Sequence, residues 1–564
     1  MNAERARDGS LVLGYGDAAV LVRVPGAELE ERLARVRAWT RGVWALAAPG
    51  VEDVVPAEAS VLVRVDPRVG PAALARSLTD LDPEPVPSDA GALVEVPVVY
   101  DGEDLDDVAR LTGLSRADVA AAHLGSEWVV GFCGFAPGFA YLVGGDPRLR
   151  VPRRAAPRTA VPAGALALAG GYCGVYPRRS PGGWQLIGTY AGAQALWDAD
   201  RARPALLEPG ARVRFVAVEA VPSDGPAPAA SAQAATLGPE AFEVLAPGLL
   251  TTVQDAGRPG LAHLGVPRSG AADLGALDDA NLLLGNAADA PALEVTLGGL
   301  ALQALRELQV CICGAEVAVT VDGVPHPRDA VVTVPAGAVL ALGTARAGLR
   351  AVVAVRGGVL APRVLGSAST DLLSGLGPAR LAAGDRLGVG DGVGDGVGDG
   401  VGGTVAGGAA AGGLPPLRAR VVARDPAPPA DALVVLQALP GPDADDASLH
   451  ALVGAGWRVR PDSDRIGVRL EPDGARSAGG SASHGDADPP AERRAPVASA
   501  ATRPSEGVVR GAVQLPPSGL PVVFLADHPT TGGYAVVACL TSASVDALAQ
   551  VRPGQRVWFV IDGS

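Results

Sequence analysis

The chain of 564 residues contains no lysine, and all 47 of its basic side chains are arginine. That absence removes the phosphate-binding lysine of a P-loop, a Schiff-base lysine and any lysine able to carry biotin. Methionine is confined to Met1. Cysteine is scarce too: Cys133, Cys173, Cys311, Cys313 and Cys539 are odd in number and lack the two-residue separation of a zinc knuckle. Cys311 and Cys313 alternate in an apolar run and read as core strand residues. No apolar stretch approaches an uninterrupted membrane span, and MNAERARDGS at the start has no signal core, so a reducing cytoplasm is the expected location. The formal net charge of −14 leaves little basic surface, which argues against nucleic acid or an anionic membrane as partner. Any anion must be met by local arginines.

What the chain has in quantity is turn chemistry, with 75 glycines and 49 prolines. They crowd the run from Gly131 to Gly188, where short β-runs at 165–169 and 184–187 lie between turns rich in aromatics and in Arg153, Arg154, Arg158, Arg178 and Arg179. Backbone amides and guanidiniums held by special turns suit an anion. The length suggests three or four domains, and a hydrophobic fraction of 48% is that of a globular protein.

Residues 1–87 read as a small α+β domain with helices over 28–48 and 71–81. Residues 88–218 open with two short helices, the second begun by a Ser115–Asp118 capping box. Arg116 is the only basic residue on that helix, which argues against a DNA-reading helix pair. His123, at the helix end, reads equally as a solvated terminal histidine or as a functional one. A Pro/Ala/Ser linker covers 219–240 and suggests two joined proteins. From 241 to 564 short strands recur between Gly, Pro and Asp, the pattern of a barrel or sandwich. Two low-complexity inserts, near 388–414 and 474–504, interrupt it and read as disordered.

Three clusters in this second half carry polar chemistry. Asp255, Arg258, His263, Ser269 and Asp273 precede a helix that Asp273 caps and Gly285-Asn286 ends, a plausible anion site. Asp462, Asp464 and Arg465 share one turn, and Thr530, Thr531, Gly532 and Gly533 form a hydroxyl-and-amide loop between apolar strands.

GFAPGFAYLVGGDPRLRVPRRAAPRTAVPAG with SPGGWQLIG resembles the first allophanate-hydrolase-type domain, as in the B subunit of 5-oxoprolinase and in a sporulation-kinase inhibitor of bacilli. TTVQDAGRPGLAHLGVPRSGAAD, ALEVTLGG, VLGSAST, PDSDRIGVRLE and TTGGY resemble the second such domain, as in the C subunit of 5-oxoprolinase. The resemblance implies a mainly β chain with α+β parts: two cyclophilin-like β-barrel modules facing one another, preceded by the small α+β domain. It also implies the B and C parts of an ATP-dependent enzyme that opens 5-oxoproline to glutamate with a separate A subunit. ATP and Mg²⁺ are the implied cofactors, a homo-oligomer the implied assembly, and a small molecule the substrate. In related urea carboxylases the same pair of domains moves a carboxyl group from carboxybiotin to urea. That reading needs a biotin carrier on another chain, and a non-catalytic kinase inhibitor is the third alternative.

On this resemblance His263, Asp273, Asp462 and Arg465 are the catalytic candidates. Arg158, Gly182, Gly183, Gln185, Arg258, Ser269, Thr530, Thr531, Gly532 and Gly533 are the substrate and ATP candidates, and Asp255 or Asp273 would hold the metal. Relatives usually read Gln-Thr-Thr-Gly-Gly-Tyr-Pro where this chain has Pro529 and Ala535, and an arginine where it has Thr189. These departures bear on substrate preference.

Overall fold

The computed structural model describes residues 4–85, 91–221, 238–390, 427–474 and 503–561. Most of the linker and most of both low-complexity inserts lie outside the described residues. Alternation of apolar residues builds the first body, a five-stranded sheet of Glu4–Arg5, Leu11–Gly14, Ala19–Arg23, Ser60–Val65 and Val51–Pro56 in that spatial order. Helix Leu29–Leu46 lays Leu33, Val36, Trp39 and Val43 inward and stops where Ala47 turns left-handed, with φ of 43°. Val36, Trp39 and Val43 pack on one face of that sheet together with helix Ala72–Asp80.

Residues 93–217 close into a seven-stranded barrel, and residues 433–561 close into another. In chain order the first uses Leu93–Val99, Trp128–Cys133, Ala140–Val143, Ala165–Ala169, Tyr172–Val175, Gln185–Tyr190 and Arg212–Ala217. The second uses Leu433–Pro440, Trp457–Val459, Gly467–Pro472, Ala512–Leu515, Val522–Phe524, Ala535–Leu540 and Arg556–Ile561. Every pairing of the first recurs between the corresponding strands of the second, including a parallel closure of first strand on last. Each barrel also carries a two-stranded flap, Arg158–Val161 with Ser180–Gly182 and Glu506–Gly507 with Thr531–Gly532. Both second strands begin with a buried tryptophan whose indole N–H donates to the carbonyl five residues earlier, Trp128 to His123 and Trp457 to Leu452. The two barrels are therefore one design used twice.

Between them in sequence lies a sandwich, so that residues 241–564 hold two bodies of sheet rather than a barrel alone. A seven-stranded and a five-stranded sheet bury Phe242, Val253, Leu293, Val310, Ile312 and Val353 between them. Strand alternation turns Cys311 and Cys313 to the opposite face, beneath helix Leu274–Leu284, so they are core residues. That helix is capped by the Asp273 side chain on the Ala276 N–H and ends at left-handed Gly285.

The N-terminal sheet packs its second face on the second barrel, not on the first that follows it in sequence. Tyr15, Leu21 and Leu62 meet Val508, Ala512, Phe524 and Val536. Arg23 donates to Glu506 and Asp443 at 2.7 to 2.9 Å. Among the described residues no helix is long and apolar enough to cross a membrane.

Candidate functional site

The duplication makes the glycine pairs of the two barrels equivalent. Gly182 pairs with Arg158 across the first flap, and Gly532 pairs with Glu506 across the second. Behind each pair a buried aspartate holds the following strand: Asp104 accepts the Leu186 N–H at 2.8 Å, and Asp443 the Val536 N–H at 2.9 Å. Both aspartates are gripped by arginine, Asp104 by Arg154 and Arg158 and Asp443 by Arg23 and Arg503. Burial pushes the Asp104 carboxyl up, but Arg158, the Leu186 amide and Arg154 together hold it below the usual range. No local pattern hints at Asp104 or Asp443, because each acts on a strand 82 or 93 residues away along the chain.

The two glycine loops are brought to one seam by the loop 134–138. A Cβ on Gly134 would lie 2.2 Å from Thr531 Oγ1, so only glycine lets the first barrel reach the Thr-Thr-Gly-Gly loop. The ring of Phe135 contacts Tyr176 edge-on, and a Cβ on Gly182 would lie 2.3 Å from the Tyr176 hydroxyl. Gly138 donates to the Leu264 carbonyl at 3.0 Å, which ties the same loop to the sandwich. Arg178 donates to the carbonyls of Leu373 and Ser374, and the neighbouring Leu372 N–H donates to Asp527 at 3.0 Å. Two buried polar atoms beside the glycine pairs have no partner, Gln185 Oε1 and Thr530 Oγ1. In a closed interior such atoms are costly, and a ligand group would satisfy them.

Beneath the seam lies a buried ionic network. Arg465 donates to both Asp527 oxygens at 3.0 and 2.9 Å, to the Gly270 carbonyl at 2.6 Å and to Glu294. Glu294 also accepts the Ala272 N–H and lies 3.6 Å from Arg350. Arg258 donates to Ser269 at 2.9 Å, and Ser269 donates to Asp371 at 2.5 Å. Three guanidiniums thus face three carboxylates. Burial pushes the Glu294 carboxyl up, yet Arg465 and Arg350 outweigh it and hold it low. Asp527, with Asp371 beside it, is pushed up to about 6 by burial despite Arg465.

This network corrects several expectations. Arg465, Arg258 and Ser269 are buried and bonded to the protein, so they position loops rather than meet a substrate. Asp273 is equally buried, accepting from the Ala276 N–H and Gln550. Asp255 accepts from Ser367 at 2.6 Å, from the Ala368 and Gly257 amides, and from Ser369. Neutral donors fill its lone pairs, so neither aspartate fits a Mg²⁺ ligand set, and no group of three or more metal-ligating side chains occurs among the described residues. Asp462 shares its turn with Arg465 but points outward to Arg460 at 3.0 Å. His263 has a buried Nδ1 without partner; burial lowers its pKa, and the carboxylates that reach it are Asp53 and Glu208, not Asp462. His123 is a core residue, with Tyr100 at 2.7 Å and Cys173 at 3.2 Å on its two nitrogens. Arg158 sits at the seam's edge, bound to Asp104 at 2.8 Å and Glu103 at 3.1 Å. What the protein's own bonds leave unsatisfied at the seam are the buried Gln185 Oε1 and Thr530 Oγ1, beside the half-buried glycine turns and Arg158.

Comparison with known proteins gives two family matches. Residues 264–561 match the carboxyltransferase domain, subdomain A and B, and residues 11–207 match the carboxyltransferase domain, subdomain C and D. The chain is 33% identical over 325 residues to the 5-oxoprolinase C subunit of Escherichia coli strain K12, covering 57% of this chain and 90% of that protein. It is 49% identical over 126 residues to the 5-oxoprolinase B subunit of Escherichia coli O157:H7, covering 22% of this chain and 57% of that protein. The crystal structure of TTHA0988 superposes with a TM-score of 0.79 at 35% identity, over 96% of this chain and 99% of that one.

Proposed function

The chain belongs to the carboxyltransferase-domain family, with its C and D part ahead of its A and B part, and from that premise we propose that it is the fused B and C portion of an ATP-dependent 5-oxoprolinase completed by a separate A subunit. The observation that carries this reading is that the two halves are similar, in order, to the B and C subunits of 5-oxoprolinase. Amide resonance makes the lactam carbonyl of 5-oxoproline a poor electrophile. Transfer of the terminal phosphoryl group of ATP to the lactam oxygen, with release of ADP, activates the ring carbon. Water adds there, the C–N bond breaks with a proton delivered to nitrogen, and a second water hydrolyses the acyl phosphate to glutamate and phosphate. This chain would supply the oriented amides of Gly182, Gly183, Gly532 and Gly533 and the Thr531 hydroxyl to developing negative charge, with Arg158 at the rim and Gln185 orienting the substrate. Arg258, Arg465, Asp371 and Asp527 would act only by positioning those loops. Asp255 and Asp273, already bonded within the protein, would not hold Mg²⁺.

Carboxyl transfer to urea is the second reading, favoured by the family's own description. With no lysine here to carry biotin, it requires a biotinylated partner chain. The test is ATP turnover by the purified chain with and without 5-oxoproline and a purified A subunit. Oxoproline-stimulated turnover that needs both proteins supports the proposal. No stimulation in any combination, with carboxyl transfer from a biotinylated carrier to urea instead, would retire it.

A further inference from the structure

The turn that brings the first barrel to the seam is strained at one residue. Phe135 has φ of 65°, in the left-handed region, and across it the Ala136 N–H donates to the Gly134 carbonyl at 2.7 Å. A three-residue hydrogen-bonded turn with positive φ at its centre is the rare, unfavourable form of the γ-turn, and a bulky side chain is seldom found there. Among the described residues no other aromatic has a positive φ. The conformation is held from both sides. The Gly134 N–H donates to the Phe139 carbonyl at 3.2 Å, the Phe139 N–H to the Ala136 carbonyl at 3.0 Å, and Gly138 is tied to Leu264. Glycine would take this turn without strain, so a phenylalanine held there points to a use for its ring.

Packing alone does not account for that ring. Phe139 is buried in a cluster with Val161, Ala167, Tyr176 and Trp184, whereas Phe135 is only half-buried at the cluster's edge. It meets Phe139 and Tyr176 edge-on, with centroids 5.4 and 6.4 Å apart. Its chain neighbour Gly134 abuts Thr531, and its ring neighbour Tyr176 abuts Gly182. The ring therefore stands between the two glycine loops with part of its surface open, in the company of the unpartnered Gln185 Oε1 and Thr530 Oγ1. An apolar ring beside polar atoms without partners suits a small flat molecule, bonded along its edge and packed on its face.

We infer that Phe135 is the specificity-determining residue for substrate size at the seam, with the strained turn fixing how far its ring reaches between the glycine loops. This role rests on the seam being the substrate site of the function proposed above.

The test compares kcat/KM of ATP turnover, by the full chain with the A subunit, for 5-oxoproline and for its six-membered-ring homologue, the lactam of 2-aminoadipate. The wild type should prefer the smaller ring by at least about tenfold, the worth of one methylene in a fitted pocket. Phe135→Ala should shift that ratio at least about tenfold toward the larger ring. Phe135→Gly, which also relieves the turn, serves if the alanine variant does not fold. Denaturant unfolding of the chain alone gives a second readout: Phe135→Gly should be at least as stable as Phe135→Ala, the reverse of the usual order. A wild type indifferent to ring size, an unchanged ratio with both substrates losing equally, or a glycine variant less stable than the alanine one would overturn this role and leave the oxoprolinase reading intact. A wild type that instead carboxylates urea from a biotinylated carrier would retire that reading, and the ratio of N-methylurea to urea then decides the role of Phe135 in the same way.

Discussion

Arg465 illustrates what a single residue here can and cannot reveal before the fold is known. Its motif places it beside Asp462, yet its partner Glu294 lies 171 residues away, and the turn sends the two side chains to opposite environments. Motif membership was legible from spacing; the split between a buried positioning arginine and a surface aspartate was not. Replacing Arg465 by Ala leaves Asp527 buried without a guanidinium and Glu294 with Arg350 alone, and the expected cost is about 3–5 kcal/mol in denaturant unfolding. Asp462→Ala, which loses only an exposed pair, should cost less than about 1 kcal/mol in the same assay. Gly134 reads as one more loop glycine in the sequence, but its missing Cβ is what admits Thr531. Gly134→Ala should destabilise by about 1–3 kcal/mol and should lower any activity that needs the two glycine loops together, measured by thermal melting and turnover.

Individual elements were more readable, because local patterns decide them. The Ser115–Asp118 capping box and the Asp273 cap both form as their spacing requires. The alternation around Cys311 and Cys313 gives a strand with two apolar faces, one to the sandwich and one to a helix. Barrel closure was legible as a family resemblance but not from local pattern, since the parallel pairing of Leu93–Val99 with Arg212–Ala217 joins strands more than 100 residues apart. The matched tryptophans offer a check on the duplication. Trp128→Phe and Trp457→Phe each remove one buried indole hydrogen bond, and similar losses of about 1 kcal/mol are expected in equilibrium unfolding. A cost at one position and none at the other would argue against equivalent roles.

At the scale of the whole molecule, the N-terminal sheet skips the adjacent barrel and covers the second, with Arg23 bound to Glu506 where the first barrel has Arg158. Nothing local in the sequence encodes that choice, because it depends on which outer face is left apolar once each barrel has closed. Folding in this way buries two neutral histidines, His123 and His528, both with pKa pushed down to about 3 by burial. The unfolded chain protonates them near 6.5, so stability is fully present above that pH and is lost as pH falls toward 3, by about 1.4 kcal/mol per pH unit for each. Asp527, raised to about 6, opposes them below that pH, as do the Asp53 and Glu506 carboxyls that burial also pushes up, so the histidine contribution is read from variants rather than from the total slope. The double variant His123→Gln, His528→Gln should flatten the dependence of unfolding free energy on pH between 6.5 and 5, and an unchanged slope would count against this assignment. The central claim, a fused enzyme portion acting with a separate partner, is met most directly by one measurement: ADP release by this chain mixed with the A subunit, as 5-oxoproline is added. Release that rises with oxoproline and vanishes when either protein is left out is the result expected. Release indifferent to oxoproline, or undiminished without this chain, would contradict it.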